Sequence, residues 1–114
     1  MNDPAAVIDG QIAAYRDRDL ERFLSYYAAD AIILDPDGNP VMTGLAQLRQ
    51  QYGQSFQANP GLTIEIARRM TVGEYVVDEE HLSNLGDPAG PDTVTAVAIY
   101  RVTGGLISRV MLLR

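Results

Sequence analysis

Several side chains in this sequence have the type and spacing for acid–base chemistry. Asp35 opens the turn Asp35-Pro36-Asp37-Gly38-Asn39-Pro40 directly after the apolar run Ala31-Ile32-Ile33-Leu34. A carboxylate at the end of such a strand, turned into a cone among apolar groups, has its pKa raised toward the range of a general base. The competing reading is a turn opener that hydrogen-bonds its own backbone. Gln11 and Tyr15 share a helical stripe with Ile8 and Ile12. A buried amide or phenol needs a hydrogen-bond partner, and a pocket can supply one. In the run Asp78-Glu79-Glu80-His81, a carboxylate and the single histidine form an acid–base pair if they face a pocket. On the opposite face the same acids would pair with Arg68, Arg69, Arg101 or Arg109 across neighbouring strands. A one-residue register slip exchanges the face Tyr75, Val77, Glu79, His81 for the face Val76, Asp78, Glu80, Leu82, so both readings stay open. Arg68 interrupts an apolar alternation, which makes it the expected partner of a buried acid.

Composition removes other chemistries. With no cysteine, the chain has no thiol nucleophile, disulfide or thiolate metal site. One histidine and scattered acids make no metal site, and no cofactor is expected. All nine basic residues are arginine, which excludes Schiff-base chemistry and a phosphate-loop lysine. A net charge of −6 and a pI near 4.5 argue against nucleic acid or an anionic membrane as partner. No apolar run is long enough to span a bilayer, and Met1-Asn2-Asp3-Pro4 does not resemble a signal peptide, so a cytoplasmic protein is expected. The length, 114 residues, suits a single domain over 1–114.

These residues need elements to position them. Asp3-Pro4 reads as a helix cap followed by a first-turn proline, and the helix breaks at Arg16-Asp17-Arg18-Asp19. Asp19 caps a second helix with the stripe Leu20, Phe23, Leu24, Tyr27. Ala31–Leu34 and Val41-Met42 read as short strands around the proline-rich turn. A third helix begins at Thr43 or Gly44 and buries Leu45, Leu48, Tyr52 and Phe56. Leu62, Ile64, Ile66, Met70 and Val72 alternate as a half-buried strand. Tyr75–Ser83, Thr93–Thr103 and Leu106–Leu113 follow as strands, with a loop over Asn84–Asp92 and a tight Gly104-Gly105 hairpin. Helices first and consecutive strands later give an α+β cone, with three helices on one face of a curved, mainly antiparallel sheet. Val97 and Ile99 add a second apolar face to a strand whose other face carries Val94, Ala96, Ala98, Tyr100 and Val102. A homodimer packed sheet to sheet would cover it.

The order of elements resembles the nuclear-transport-factor-2-like (NTF2-like) fold over essentially the whole chain, in its SnoaL-like and ketosteroid-isomerase-like branches. The resemblance is sharpest over Tyr27-Ala28-Ala29-Asp30-Ala31-Ile32-Ile33-Leu34-Asp35-Pro36-Asp37-Gly38-Asn39-Pro40, and again over Gly104–Arg114. It implies an apolar cavity for a small hydrophobic molecule. It also implies cofactor-free proton transfer: isomerisation, dehydration, cyclisation or epoxide opening. Asp35 falls on the steroid isomerases' general base. Their two oxyanion donors, a tyrosine and a protonated aspartate, fall on Gln11 and Ala98. Losing one such donor costs about 100- to 1,000-fold in rate, so efficient steroid isomerisation is not expected. The candidate catalytic residues are therefore Asp35, Tyr15 and His81, with Gln11, Tyr27, Tyr52, Phe56, Ala98 and Tyr100 lining the pocket. The alternatives are a non-catalytic ligand-binding protein and a dimeric interaction module of the same fold.

Overall fold

Asp3 accepts a hydrogen bond from the Ala5 amide (3.1 Å) and starts helix α1, Pro4–Arg16. The helix stops where Arg18 adopts a positive φ of 57°. The Arg18 guanidinium then donates to the carbonyls of Tyr15, Asn59 and Leu62, tying this corner to the segment before the first long strand. Asp19 caps α2, Leu20–Leu24. A computed structural model describes residues 3–85, 90 and 92–114, so most of the loop expected over Asn84–Asp92 lies outside the described residues.

Strand β1 runs Tyr27–Leu34, β2 Pro40–Thr43, helix α3 Gly44–Ala58, β3 Thr63–Val72, β4 Tyr75–Ser83, β5 Thr93–Thr103 and β6 Leu106–Leu113. The six strands form one open sheet in the order β2-β1-β6-β5-β4-β3. Among the described residues, β1 and β6 pair in parallel and the other neighbours are antiparallel. Gly104 and Gly105, at φ 60° and 84°, make the β5–β6 hairpin, a pair of left-handed positions that a side chain would strain. The helices cover the concave face, as an α+β cone requires. Close approach matters at one helical glycine: a Cβ on Gly10 would lie 2.5 Å from the Tyr26 ring.

Two expectations change. Tyr27 belongs to β1 and pairs with Ile107, although its ring still points into the core at 4% exposure. In β3 the alternation does not run through to Val72. A register shift between Ile66 and Arg68 puts one extra residue into the strand and reverses the phase beyond it. Ile64 faces inward, but Met70 and Val72 lie outward at 63% and 68% exposure, and Arg69 takes the inward position in place of Arg68.

The register also settles the acidic strand. Val76, Asp78, Glu80 and Leu82 face the core; Tyr75, Val77, Glu79 and His81 face out. The outer sheet face carries a row in register across five strands: Leu34, Met111, Ile99, Val77 and Met70. Among the described residues, no helix is long and apolar enough to cross a membrane.

Candidate active site

The concave side of the sheet closes against α1 and α3 around a cavity of about 40 Å³. Gln11, Ile12 and Tyr15 reach it from α1, and Tyr52 from α3. Tyr27, Glu80, Tyr100 and Arg114 reach it from the sheet and its end, with Ile64, Leu82, Val110 and Leu112 completing the wall. Helical spacing puts Gln11 and Tyr15 on one face, one turn apart. The period of two puts Glu80 on the inner side of β4 with Asp78. Glu80 lies opposite Ala96 on β5, and Asp78 opposite Ala98, so two small residues leave room beside the carboxylates.

Glu80 is 5% exposed. Its Oε2 accepts a hydrogen bond from the Tyr100 hydroxyl (3.1 Å). Burial raises its carboxyl above the usual carboxylate range; the bond from Tyr100 opposes this, Asp78 adds to it, and Arg114 and Arg69 draw it down. The phenols of Tyr27, Tyr52 and Tyr100 are pushed well up, first by burial and further by Glu80. Tyr15 is raised in the same way. At neutral pH these four phenols are therefore neutral donors. Gln11 donates through Nε2 to the Tyr27 hydroxyl (3.1 Å), while its buried Oε1 has no hydrogen-bond partner among the described residues.

Beside the cavity, Asp78 is fully buried and receives two bonds from Arg69: Nε to Oδ1 at 2.7 Å and Nη2 to Oδ2 at 2.9 Å. Arg69 also reaches Asp9 on α1 at 2.6 Å, clamping the helix to the sheet. Phe23, Tyr27, Tyr52 and Phe56 form an aromatic layer, with Phe56 edge-on to Tyr15 at 5.2 Å.

The structure brings Gln11, Tyr15, Tyr27, Tyr52 and Tyr100 together around one cavity and leaves the other candidates elsewhere. Asp35 is not at the cavity: its Oδ1 accepts from the amides of Asp37 and Asn39, both at 2.9 Å, so it braces its own turn. His81 lies on the outer face, exposed, with Nε2 2.8 Å from Glu79. Phe56 packs behind the tyrosines. Ala98 is buried against its neighbouring strands without lining the cavity. The cavity is not apolar either, since phenols, an amide, a carboxylate and a guanidinium share its wall. Sequence reasoning missed Glu80 as the cavity's carboxylate and Arg114 as its cation. Glu80's signal was its parity with Val76 and Leu82, blurred because Tyr75 and Val77 make the other face equally apolar at one end.

The SnoaL-like domain family matches residues 8–110, nearly the whole chain and every element described above. The chain belongs to that family. This SnoaL-like domain is similar to an uncharacterised cystatin-fold protein from Novosphingobium aromaticivorans, at 27% identity over 100% of both chains and a TM-score of 0.89. An NTF2-like protein of unknown function from Cytophaga hutchinsonii shares the fold at 12% identity, covering 98% of this chain and 89% of that one, with a TM-score of 0.79. So does TerC, co-crystallised with polyporic acid, at 20% identity, 96% and 88% coverage and a TM-score of 0.80. No curated protein matches the SnoaL-like domain significantly. The cone expected for an NTF2-like chain is thus the fold this sequence adopts.

Proposed function

We propose that this SnoaL-like protein is a cofactor-free proton-transfer enzyme for a small carbonyl compound, an isomerase, dehydratase or cyclase in reaction type. One observation carries the reading: a carboxylate, Glu80, buried in a cavity lined by phenols and hydrogen-bonded by one of them, Tyr100. Desolvation makes Glu80 a stronger base than a surface carboxylate and brings its pKa closer to working pH. Its oxygen not held by Tyr100 takes a proton from the carbon beside the substrate carbonyl. The C–H electron pair becomes the enolate double bond, and the carbonyl oxygen gains the charge. The Tyr15 and Tyr52 hydroxyls, which have no hydrogen-bond partner among the described residues, are the donors for that oxygen. The Glu80 carboxyl then returns the proton to another atom of the substrate. A steroid skeleton is far larger than the space available, in keeping with the absent second oxyanion donor.

The test is deuterium exchange at the α-carbon of small ketones and oxo acids in D₂O, followed by proton NMR. Glu80→Gln should lower protein-catalysed exchange by about 100-fold or more, the scale of a general base, and Asp35→Asn should leave it intact. The opposite pattern would return the base to Asp35. The unpaired Gln11 Oε1 favours a second reading, non-catalytic ligand binding, which predicts saturable binding with no exchange in the parent protein.

A second copy of the chain is the proposed partner. Arg101 and Arg109 lie on one side of the outer apolar row, and Leu113, Val97 and the Glu79–Arg68 ion pair lie on the other. A two-fold axis through the row would pack the apolar rows of two copies against each other.

A further inference from the structure

The polar groups around the cavity are unevenly satisfied. At the inner end, the Gln11 amide is 95% buried by its 5% exposure, and only one of its two ends is used. A buried amide end without a partner carries a desolvation cost that a ligand hydroxyl removes, whether by donating to Oε1 or by accepting from the amide nitrogen. At the outer end stands Arg114, exposed, lining the same cavity, with no ion pair to another residue among the described residues. It lies close enough to Tyr15, Tyr52 and Glu80 to act on them electrostatically. The space between is about 40 Å³, room for about three water molecules. An extended apolar skeleton does not fit; a few polar heavy atoms do.

We infer that the ligand is a short hydroxylated oxo acid, its hydroxyl held by Gln11 at the inner end and its carboxylate held by Arg114 at the mouth. This replaces the small hydrophobic molecule expected from sequence. Glu80 fixes the orientation, because its negative charge bars a second carboxylate from the inner half and leaves the mouth as the one favourable place for it. The bond from Gln11 Nε2 to Tyr27 adds selectivity: it holds the amide in place, so a ligand lacking the hydroxyl leaves a buried polar end unpaired. The inference rests on the proposed function in taking this cavity as the substrate site and in giving the ligand its oxo group.

Three probes of nearly equal size separate its parts. Hydroxypyruvate has both the hydroxyl and the carboxylate, pyruvate lacks the hydroxyl, and dihydroxyacetone lacks the carboxylate. Binding is read from tyrosine ring shifts in NMR titrations, without reference to turnover. The parent protein should bind hydroxypyruvate about tenfold or more tighter than either other probe, the scale of one good polar contact. Gln11→Met should reduce hydroxypyruvate to the affinity of pyruvate, and Arg114→Met should reduce it to that of dihydroxyacetone. Equal binding of pyruvate and hydroxypyruvate by the parent protein overturns the Gln11 role, and equal binding of dihydroxyacetone overturns the Arg114 role. No shift with any probe overturns the whole inference, and this comparison needs no variant to fold. Selective binding together with exchange that Glu80→Gln does not slow would instead remove the proton-transfer reading and leave this one standing.

Discussion

Glu80 is a carboxyl whose folded environment disfavours its charge, and this has a consequence for stability as well as for catalysis. Its folded pKa lies above its unfolded value because of burial. The native state therefore holds the proton more tightly than the unfolded chain. The associated stability is fully present below the unfolded pKa and is lost as pH rises through the folded pKa. Glu80→Gln keeps an acceptor for Tyr100 and never ionises. It should raise the melting temperature at about pH 7 to 8 while changing little near about pH 3, where the carboxyl is protonated in both states. Thermal denaturation across that range checks it, and a uniform offset at all pH values would show that the carboxyl is not desolvated. At this scale the sequence was informative about the aromatic wall. Tyr15 and Tyr52 sit on apolar helical stripes, Tyr100 shares a strand face with Ala96, Ala98 and Val102, and Gln11 stands out as a polar residue on a helical stripe. It was misleading at Asp35, because an Asp-Pro turn has the same residues whether its carboxylate enters a cavity or caps its own backbone, as here.

Among the elements, the bulge in β3 decides most. One extra residue near Ala67 turns Arg69 inward to meet Asp78 and Asp9, and leaves Arg68 exposed beside Glu79 at 3.7 Å. Removing the partner of a fully buried carboxylate is costly, so Arg69→Met should destabilise the fold by about 3–5 kcal/mol. Arg68→Met, which breaks a surface pair, should cost about 0–1 kcal/mol. Urea denaturation of the two variants compares them directly; equal losses would mean that the clamp between α1 and the sheet is not what holds the helix. Most strand and helix boundaries were readable from periodicity and turn residues, including the Gly104-Gly105 hairpin. The bulge was not, because a bulge is a property of two paired strands, and neither strand's sequence alone records which residue goes unopposed.

At the scale of the whole molecule, the open sheet leaves an apolar outer row that no helix covers among the described residues. Ile99 is at its centre, paired with Val77 on one side and Met111 on the other. Ile99→Asp should convert a dimer to monomer, halving the mass measured by light scattering, while the fold and the cavity on the opposite face stay intact. A parent protein that is already monomeric at tens of micromolar would reject sheet-to-sheet assembly.

The sequence by itself determined the element order, the α+β cone, the covered and uncovered faces of β5 and most of the tyrosine wall. These follow from local periodicity and turn chemistry, which act within one element. It also removed thiol and lysine chemistry through the absence of the residues. Only the tertiary structure decided which acid is buried, which arginine meets it, and where the cavity's charges lie. Asp78, Glu80 and Arg69 owe their positions to strand register, and Arg114 shares a cavity with Glu80 because β6 lies two strands from β4 in the open sheet. Such neighbours are set by pairing between distant segments, where a shift of one residue turns the buried face outward.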